Sequence, residues 1–307
     1  MKIAIMGSGG VGGYFGARLA QGGADVTFIA RGEHLAAMQA NGLKVDSAEL
    51  GNALIKPVQA TDTPADIGPV DYVIIAIKLW GTEEIAEAVK PMIGLETTVV
   101  SLQNGVESDD ILADILGKKH LIGGIAQIAS SISEPGVIYH LGTMQRVVIG
   151  ELDGGLSDRV ERLRVALEAG GVVAESSEDI QRTIWDKFVF LVGLSGTTTL
   201  VRTTIGPIRE DPRMRRFLYD VMNETVQVAR AKGVDFPEDY ADEKLQFIDG
   251  LPFDMTSSMH HDLERNNPLE VAWLSGAVAR FGAELGIDTP VNRTIDAALR
   301  PYAKHRD

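Results

Sequence analysis

The first half of the chain alternates short apolar runs with segments in which apolar residues recur at helical spacing. Four runs rich in apolar and β-branched residues predict buried strands, at 2–6, 25–30, 71–77 and 97–102. Helical spacing follows the first run, and a further helix is predicted over 83–89. Strands that alternate with helices in this way indicate a parallel, doubly wound sheet of the α/β class.

Beyond residue 130 the pattern changes. Residues 136–141 and 145–152 predict paired strands, 156–167 an amphipathic helix and 172–174 a short strand. From there onward helical spacing predominates, and the predicted helices cover 179–200, 208–232, 238–249, 256–265, 268–285 and 289–303. We therefore predict two domains, with the sheet in 1–178 and an all-helical domain in 179–307.

Composition and charge restrict the classes of function. Of the 307 residues, 45% are hydrophobic and 23% are charged, which is typical of a folded globular chain. A formal net charge of −14 without a basic stripe argues against nucleic-acid binding. The chain has no cysteine, so disulfides and thiol catalysis are excluded, and this usage fits a cytoplasmic protein.

The sequence predicts neither a targeting or membrane segment nor a metal site. The N-terminal apolar run is interrupted by Gly7, and no uninterrupted run of eighteen apolar residues occurs, so we expect neither a signal peptide nor a membrane span. The six histidines are scattered, apart from the adjacent His260 and His261. Adjacent helical side chains point about 100° apart, which is poor geometry for metal ligands. We therefore expect no metal site.

A glycine-rich sequence follows the first predicted strand directly and opens a helix. It reads Gly7, Ser8, Gly9, Gly10, Val11, Gly12 and has the G-x-G-x-x-G pattern of dinucleotide-binding loops. Such glycines permit a tight turn, close approach of a pyrophosphate and close helix–strand packing. The alternative is a structural turn with no ligand. In this context the pattern predicts a dinucleotide site in a Rossmann-type domain.

Arg31 lies at the end of the second predicted strand, where NAD-binding proteins usually carry an acidic residue that binds the ribose 2′-hydroxyl. A guanidinium group pairs instead with a 2′-phosphate, so this residue favours NADP(H). The nearest acid, Asp25, begins the same strand and is therefore at its opposite end. The alternative is that Arg31 only ends a strand in solvent.

Two more polar side chains follow predicted strands. Lys78 follows residues 71–77, and Asn104 follows residues 97–102. Because ligands bind beyond the carboxyl ends of parallel strands, we expect both side chains at the cofactor site. Lys78 can neutralise ribose or phosphate charge, and Asn104 can bind the nicotinamide side or the substrate. The alternatives are a lysine extending to solvent and a simple Asn-Gly turn.

These residues resemble the ketopantoate reductase (2-dehydropantoate 2-reductase) family. The matching segments occur in the family's order over nearly the whole chain. They are the glycine loop, A-R-G-E-H-L at 30–35, I-K-L-W at 77–80, L-Q-N-G-V at 102–106, I-W-D-K at 184–187, S-S-M-H-H-D at 257–262, P-L-E at 268–270 and G-I-D-T-P-V-N at 286–292. The resemblance implies NADPH-dependent reduction of a 2-keto acid at C2, with ketopantoate as the first substrate to test and a role in pantothenate biosynthesis.

The resemblance also assigns roles to residues. Lys187 takes the position of the family's catalytic lysine and Glu270 that of its catalytic-site glutamate. Ser258 matches its substrate-binding serine, while Lys78, Asn104 and Arg31 match its cofactor and active-site residues.

Hydride transfer to a carbonyl carbon leaves negative charge on oxygen, and an ammonium group can stabilise and then protonate that oxygen. Lys187 lies in an apolar predicted helix, which is an unusual place for a lysine that has no functional role. The alternative is that its aliphatic stem packs on apolar surface while the ammonium group reaches solvent. Glu270 has an alternative role as well. Residues 267–270 read as the N-cap and first turn of a helix, so Glu270 can simply complete a capping box.

The chain departs from the family pattern after Lys187. Leu191 and Ser195 stand where members that reduce ketopantoate usually have asparagines, and Ile205 aligns near a third. Fewer amides leave fewer partners for a substrate hydroxyl. This favours a more apolar 2-keto acid as substrate, unless the threonines at 197–199 compensate.

Three interpretations of function remain open on the sequence alone. The first is a 2-keto-acid reductase, the second is an enzyme of the same fold that oxidises another small hydroxy acid, and the third is a non-catalytic NADP(H)-binding sensor. A sensor would need the glycine loop but would have no use for Lys187. The apolar helices of the second half fit a monomer or a homodimer equally well.

Overall fold

A computed structural model describes residues 1–303, and the chain divides into one unit over Met1–Thr183 and a second from Ile184 onward. The apolar runs of the first unit form a ten-stranded mixed sheet within the described residues. Its strands are β1 (Lys2–Met6), β2 (Asp25–Ile29), β3 (Leu43–Ser47), β4 (Ala53–Ile55), β5 (Gln59–Thr61), β6 (Tyr72–Ile75), β7 (Thr98–Ser101), β8 (Leu121–Glu134), β9 (Val137–Gly150) and β10 (Val173–Ser176).

The order of the strands explains where a ligand site is expected. Along the sheet the order is β4-β3-β9-β8-β7-β6-β1-β2-β5, with β10 beside β9. Six adjacent strands, in the order β8-β7-β6-β1-β2-β5, are mutually parallel. Strand β9 runs antiparallel to β8, and β4 runs antiparallel to β3. From β1 the chain first builds the sheet towards β2 and β5, and later towards β6 and β7. This reversal at β1 creates the crevice in which doubly wound sheets bind ligands.

Helices accompany the parallel strands, as the sequence pattern predicted. They are α1 (Gly10–Gln21), α2 (Gly32–Asn41), α3 (Thr82–Val89), α4 (Ser108–Leu116) and α5 (Asp158–Ala169). The central strands β6 and β7 are buried along their whole length, and apolar side chains of the helices pack on the sheet. The α/β, doubly wound, Rossmann-type fold predicted for the first domain is confirmed.

One part of the predicted sheet was wrong. Residues 136–141 and 145–152 do not form two paired strands, because β9 continues through 137–150 and pairs along β8. The pairing shifts near Gly142, since Ser130 faces His140 while Ile128 faces Gln145. Gly142, which lies between the two predicted strands, has a φ of 72° and belongs to a bulge within one long strand.

The second unit is helical, which confirms the prediction of an all-helical second domain. Its helices are α6 (Ile180–Val201), whose first turn belongs to the first unit, α7 (Ile205–Glu210), α8 (Pro212–Ala231), α9 (Tyr240–Asp249), α10 (Ser258–Glu264), α11 (Ser275–Leu285) and α12 (Pro290–Leu299). The helix predicted over 208–232 is divided, because the Asp211 side chain caps α8 and Pro212 begins it.

Helix α6 is long and apolar enough to satisfy a membrane-span criterion, with a mean hydropathy of 1.2 over an 18-residue window. The sequence expectation of no such segment therefore needs qualification. In the structure 67% of that window is buried inside the protein. Burial of this extent is typical of the core helix of a helical domain, whose apolar character serves packing.

A buried carboxylate holds the start of α12. Glu224 of α8 accepts hydrogen bonds from the backbone N–H groups of Val291 and Asn292, each at 2.8 Å, and from the Asn292 amide. The first N–H groups of a helix have no partner within the helix, so an acceptor from another helix satisfies them. The G-I-D-T-P-V-N segment is thereby anchored within the second unit.

Candidate active site

The glycine loop joins β1 to α1, as predicted, and its backbone fits a pyrophosphate. Gly7 has a φ of 98°, and a Cβ on Gly12 would overlap the carbonyl oxygen of Gly7. A Cβ on Gly9 would meet nothing within 4 Å, so the loop is open on that side. Gly9 is also the N-cap of α1 and has no side chain to bond the first N–H groups of the helix. These features leave room and donors for an anionic group.

Gly10 has a role that the motif did not predict. A Cβ at this position would overlap the carbonyl oxygen of Ser130 in β8, so the start of α1 packs directly against the neighbouring strand. Gly10, the third glycine of the loop, therefore allows the start of α1 to approach β8 closely, and Val11 beside it is partly buried against the core.

Hydrogen bonds hold Ser8 to the end of β2 and to α2. Its N–H and its hydroxyl both donate to the Ile29 carbonyl at the end of β2, at 3.1 and 3.0 Å. Its carbonyl accepts from Nε2 of His34, at 2.9 Å, while Nδ1 of His34 accepts from the Gly136 N–H, at 3.0 Å. Burial lowers the pKa of His34, and the hydrogen bond to Ser8 opposes that shift. His34 belongs to the A-R-G-E-H-L segment, but sequence reasoning gave it no role.

Arg31 lies beyond the end of β2, as the sequence predicted, and it is the N-cap residue of α2. Its side chain is 71% exposed and therefore available to a ligand. Its Nη2 atom is 3.5 Å from Oε1 of Glu84, in the first turn of α3. A carboxylate thus stands beside the guanidinium group that is expected to bind a 2′-phosphate.

Lys78 and Asn104 follow the adjacent strands β6 and β7, on either side of which the sheet continues to β1 and β8. Lys78 caps a short 3-10 turn, Leu79–Gly81, and its ammonium lies 5.9 Å from the centre of the Trp80 ring. Asn104 precedes Gly105, which has a φ of 100° in the bend between β7 and α4. The structure thus brings the glycine loop, Arg31, Lys78 and Asn104 to the carboxyl ends of four adjacent strands.

In the second unit, the partly buried Lys187 of α6 and the buried Glu270 form a pair of opposite charges. Burial lowers the pKa of Lys187 to about 8, while the charge of Glu270 acts in the opposite direction. Glu270 itself is only 5% exposed. Desolvation disfavours the charged form of an amine, so Lys187 becomes a stronger acid than an ordinary lysine.

The alternative role of Glu270 in a capping box was wrong. Residues 267–270 are not helical, and Glu270 precedes only a short 3-10 turn, Val271–Trp273. The Asn267 amide donates to Asp262 rather than to a helix start. Helix α11 begins at Ser275, so the carboxylate of Glu270 has no capping function at its N-terminus.

Leu191 and Ser195 follow Lys187 at four-residue spacing on one face of α6, and Thr199, a further turn along, is rotated about 120° from Lys187. Leu191 is partly buried, whereas Ser195 and Thr199 are fully buried and their hydroxyls have no hydrogen-bond partner within the described residues. The hydroxyls of Thr197 and Thr198 donate to α6 carbonyls at 2.7 and 2.6 Å, so these two are already bonded.

Ser258 is the exposed first residue of α10. The cap of this helix is its neighbour Ser257, which is buried and accepts from the His260 N–H at 3.1 Å. The two serines therefore differ in role, since Ser257 fixes the helix start while the Ser258 hydroxyl is accessible to solvent.

Comparisons with known proteins agree with this arrangement. The model of ketopantoate reductase PanE/ApbA matches residues 3–154, and the model of its C-terminal domain matches residues 179–303. The uncharacterised oxidoreductase YkpB of Bacillus subtilis is 33% identical over 98% of this chain and 99% of its own length. The 2-dehydropantoate 2-reductase of Archaeoglobus fulgidus is 34% identical, covering 96% of this chain and 95% of its own.

A solved structure is similar over the same extent. The crystal structure of 2-dehydropantoate 2-reductase from Geobacter metallireducens has a TM-score of 0.91 and 31% identity, covering 98% of this chain and 99% of its own. Both halves of the fold and the order of the sequence motifs thus match one family. The chain belongs to the ketopantoate reductase family and is an oxidoreductase that acts on a CH–OH group.

Proposed function

We propose that the protein reduces a small 2-keto acid to the 2-hydroxy acid with NADPH, with 2-dehydropantoate, which gives pantoate, as the first substrate to test. The observation that carries this proposal is the pair of the partly buried Lys187 and the buried Glu270, in which desolvation lowers the pKa of the lysine to about 8. A non-catalytic NADP(H) sensor has no step in which such a proton donor would act, and strongly perturbed pKa values cluster at catalytic sites.

The first domain, proposed as residues 1–178, supplies the cofactor site. The open side of the loop at Gly9 fits the pyrophosphate, and the exposed Arg31 supports a 2′-phosphate and hence NADPH over NADH. We assign Lys78 to cofactor charge and Asn104 to the nicotinamide or the substrate carbonyl. When bound, NADPH supplies the hydride that C2 of the keto acid receives.

The second domain, proposed as residues 179–307, supplies the proton. As C2 gains a hydride, the carbonyl oxygen gains negative charge, and the Lys187 ammonium stabilises this charge and donates a proton to give the hydroxyl. The products are the 2-hydroxy acid and the oxidised cofactor, and Lys187 recovers its proton from water. Glu270 helps to keep the amine protonated, since its charge raises the pKa of Lys187.

The test of this mechanism separates binding from chemistry. Lys187→Ala should lose about 10²- to 10⁴-fold in kcat for 2-keto acids while NADPH fluorescence still reports cofactor binding. Lys90→Ala, which removes an exposed lysine of the first unit that pairs with Glu87, is the matched control and should retain full activity. A Lys187→Ala enzyme with unchanged kcat would contradict the proposed role, as would a wild-type chain that consumes no NADPH with any 2-keto acid.

A second candidate substrate class is favoured by one observation. Leu191 provides an apolar surface one turn after Lys187, where the family's ketopantoate reductases usually have an amide. Among the residues that the structure describes, the buried hydroxyls of Ser195 and Thr199 have no hydrogen-bond partner, whereas those of Thr197 and Thr198 already donate to α6 carbonyls. Comparing kcat/KM for ketopantoate and 2-ketoisovalerate decides between the classes. A strong preference for ketopantoate would exclude the apolar substrate.

A further inference from the structure

A chain of buried hydrogen bonds connects the two turns that carry Lys78 and Asn104. The amide of Gln103, next to Asn104, donates to the hydroxyl of Thr82 at 2.9 Å. That hydroxyl donates to the carbonyl of Leu79, next to Lys78, at 2.7 Å. At the other end, the Ser101 hydroxyl donates to Oε1 of Gln103 at 3.0 Å. The path therefore runs from the end of β7 to the turn after β6.

In each hydrogen bond of this path, the chemistry of the two groups determines which one donates and which one accepts. The Leu79 carbonyl can only accept, so the Thr82 hydroxyl must donate to it and must accept from the Gln103 amide. The Ser101 hydroxyl accepts from the Gln103 N–H at 3.2 Å and donates to its side-chain oxygen. Gln103 is therefore held in one orientation, with its oxygen towards β7 and its nitrogen towards α3.

Burial makes the path sensitive to the loss of a single partner. Thr82 is 1% exposed, Ser101 2% and Gln103 6%, so water cannot easily replace a missing group. In such surroundings a hydrogen bond is electrostatically stronger than in water, and an unpaired polar group is costly. The turns can separate only if these bonds break.

We propose that Gln103 and Thr82 are positioning residues that set the spacing between Lys78 and Asn104. The inference rests on the proposed function, since it assumes that these two residues bind the cofactor or the substrate. Neither Gln103 nor Thr82 needs to touch a ligand. Their bonds join the backbone that follows β7 to the turn that follows β6, one residue away from each functional side chain.

The experiment compares Thr82→Val with Thr82→Ser. Valine keeps the volume of threonine but removes the hydroxyl, so the dissociation constant of NADPH should rise about tenfold, because small displacements of binding groups have large effects. Serine keeps the hydroxyl and should remain within about twofold of the wild type. Gln103→Leu should behave as Thr82→Val. The double variant, with both Thr82→Val and Gln103→Leu, should bind NADPH no more weakly than the weaker-binding of the two single variants, because both changes break the same path.

Thr97→Val is the matched control. Thr97 is also buried and donates to the Val70 carbonyl, but it lies before β7, at the opposite end of that strand. It should lower Tm without changing NADPH binding. Suppose that Thr82→Val and Gln103→Leu, like this control, lowered Tm but left the dissociation constant of NADPH, KM and kcat unchanged. The inference would then be wrong.

Binding of NADPH is measured without a keto acid, so the two proposals fail in different ways. A wild-type chain that binds NADPH but reduces no keto acid would overturn the proposed function, while the Thr82→Val comparison would still decide the role of the path. A wild-type chain that does not bind NADPH would overturn both proposals.

Discussion

At the scale of single residues, Lys187 is subject to two opposing influences. Burial favours the neutral amine and lowers its pKa to about 8, and the negative charge of Glu270 favours the ammonium form. A proton donor works best when its pKa lies near the pH at which the enzyme operates. The balance between these two influences therefore determines the pH range in which Lys187 can act.

The first prediction concerns this balance. Reduction requires the ammonium form, so kcat/KM for reduction should fall as pH rises through about 8, and the reverse oxidation should rise over the same range. Glu270→Gln removes the charge that raises the pKa of Lys187, so the fall in the reduction profile should move to lower pH. Profiles of kcat/KM from pH 6 to about 10 check this. An upward shift, or none, would contradict the assigned partnership.

The second prediction concerns cofactor preference. Glu84 pairs with Arg31 across 3.5 Å, so a 2′-phosphate must compete with its carboxylate. Glu84→Gln should therefore tighten NADPH binding about two- to fivefold, which is the range expected for an exposed ion pair, and should leave NADH binding unchanged. The effect should shrink at high salt.

Glu87→Gln is the control for this change, since Glu87 lies on the same helix but pairs with Lys90. Titration of NADPH and NADH fluorescence with each variant gives the comparison. Equal tightening of NADH would show that Glu84 does not act through the 2′-phosphate.

At the scale of elements, His34 connects three parts of the first unit. It lies on α2, donates to the glycine loop at Ser8 and accepts from the turn between β8 and β9 at Gly136. Both bonds need the neutral ring with its hydrogen on Nε2, because a protonated Nδ1 would face the Gly136 N–H. The lowered pKa of His34 is consistent with this neutral form.

The third prediction follows from these two bonds. His34→Ala should lower the free energy of unfolding by about 1–3 kcal/mol at pH 7.5 and weaken NADPH binding. Because the folded pKa lies below the ordinary 6.5, the unfolded chain takes up its proton first as pH falls. The stabilisation is thus present above 6.5 and is lost as pH falls through the folded pKa.

Urea denaturation of the wild type and of His34→Ala at pH 7.5 and 5 measures this difference, which should be smaller at the lower pH. His261→Ala removes a histidine that is 53% exposed and serves as the control. A difference that does not depend on pH would show that His34 acts by packing alone.

Some elements of the site could be predicted from local sequence and others could not. The glycine loop and Arg31 are recognisable because their roles follow from where a strand ends. His34 and Gln103 have partners 102 and 21 residues away, so no local pattern indicates their roles. The capping box at Glu270 was wrong for a related reason, since the segment has the right residues but its chain is not helical there.

At the scale of the whole molecule, the two predicted domain types are present, and the bounds of 1–178 and 179–307 stay a prediction for the functional domains. The contacts of the chain divide it after Thr183, within the first turn of α6. Helical periodicity begins near residue 179, so the sequence shows where the helix starts. It does not show which unit the first turn packs against, because that depends on tertiary contacts.

The first turn of α6 has a consequence for recombining this protein with its relatives. A chimaera with the Archaeoglobus fulgidus protein joined after residue 178 would give Ile180 and Thr183 over to foreign sequence, although Ile180 packs at Gly150 and the Thr183 hydroxyl meets that of Ser177 at 3.1 Å. A junction after Thr183 keeps these partners together. We expect the melting temperature of this second chimaera to be about 2–4 °C higher in a thermal scan. Equal melting temperatures would show that the first turn of α6 does not depend on its partners in the first unit.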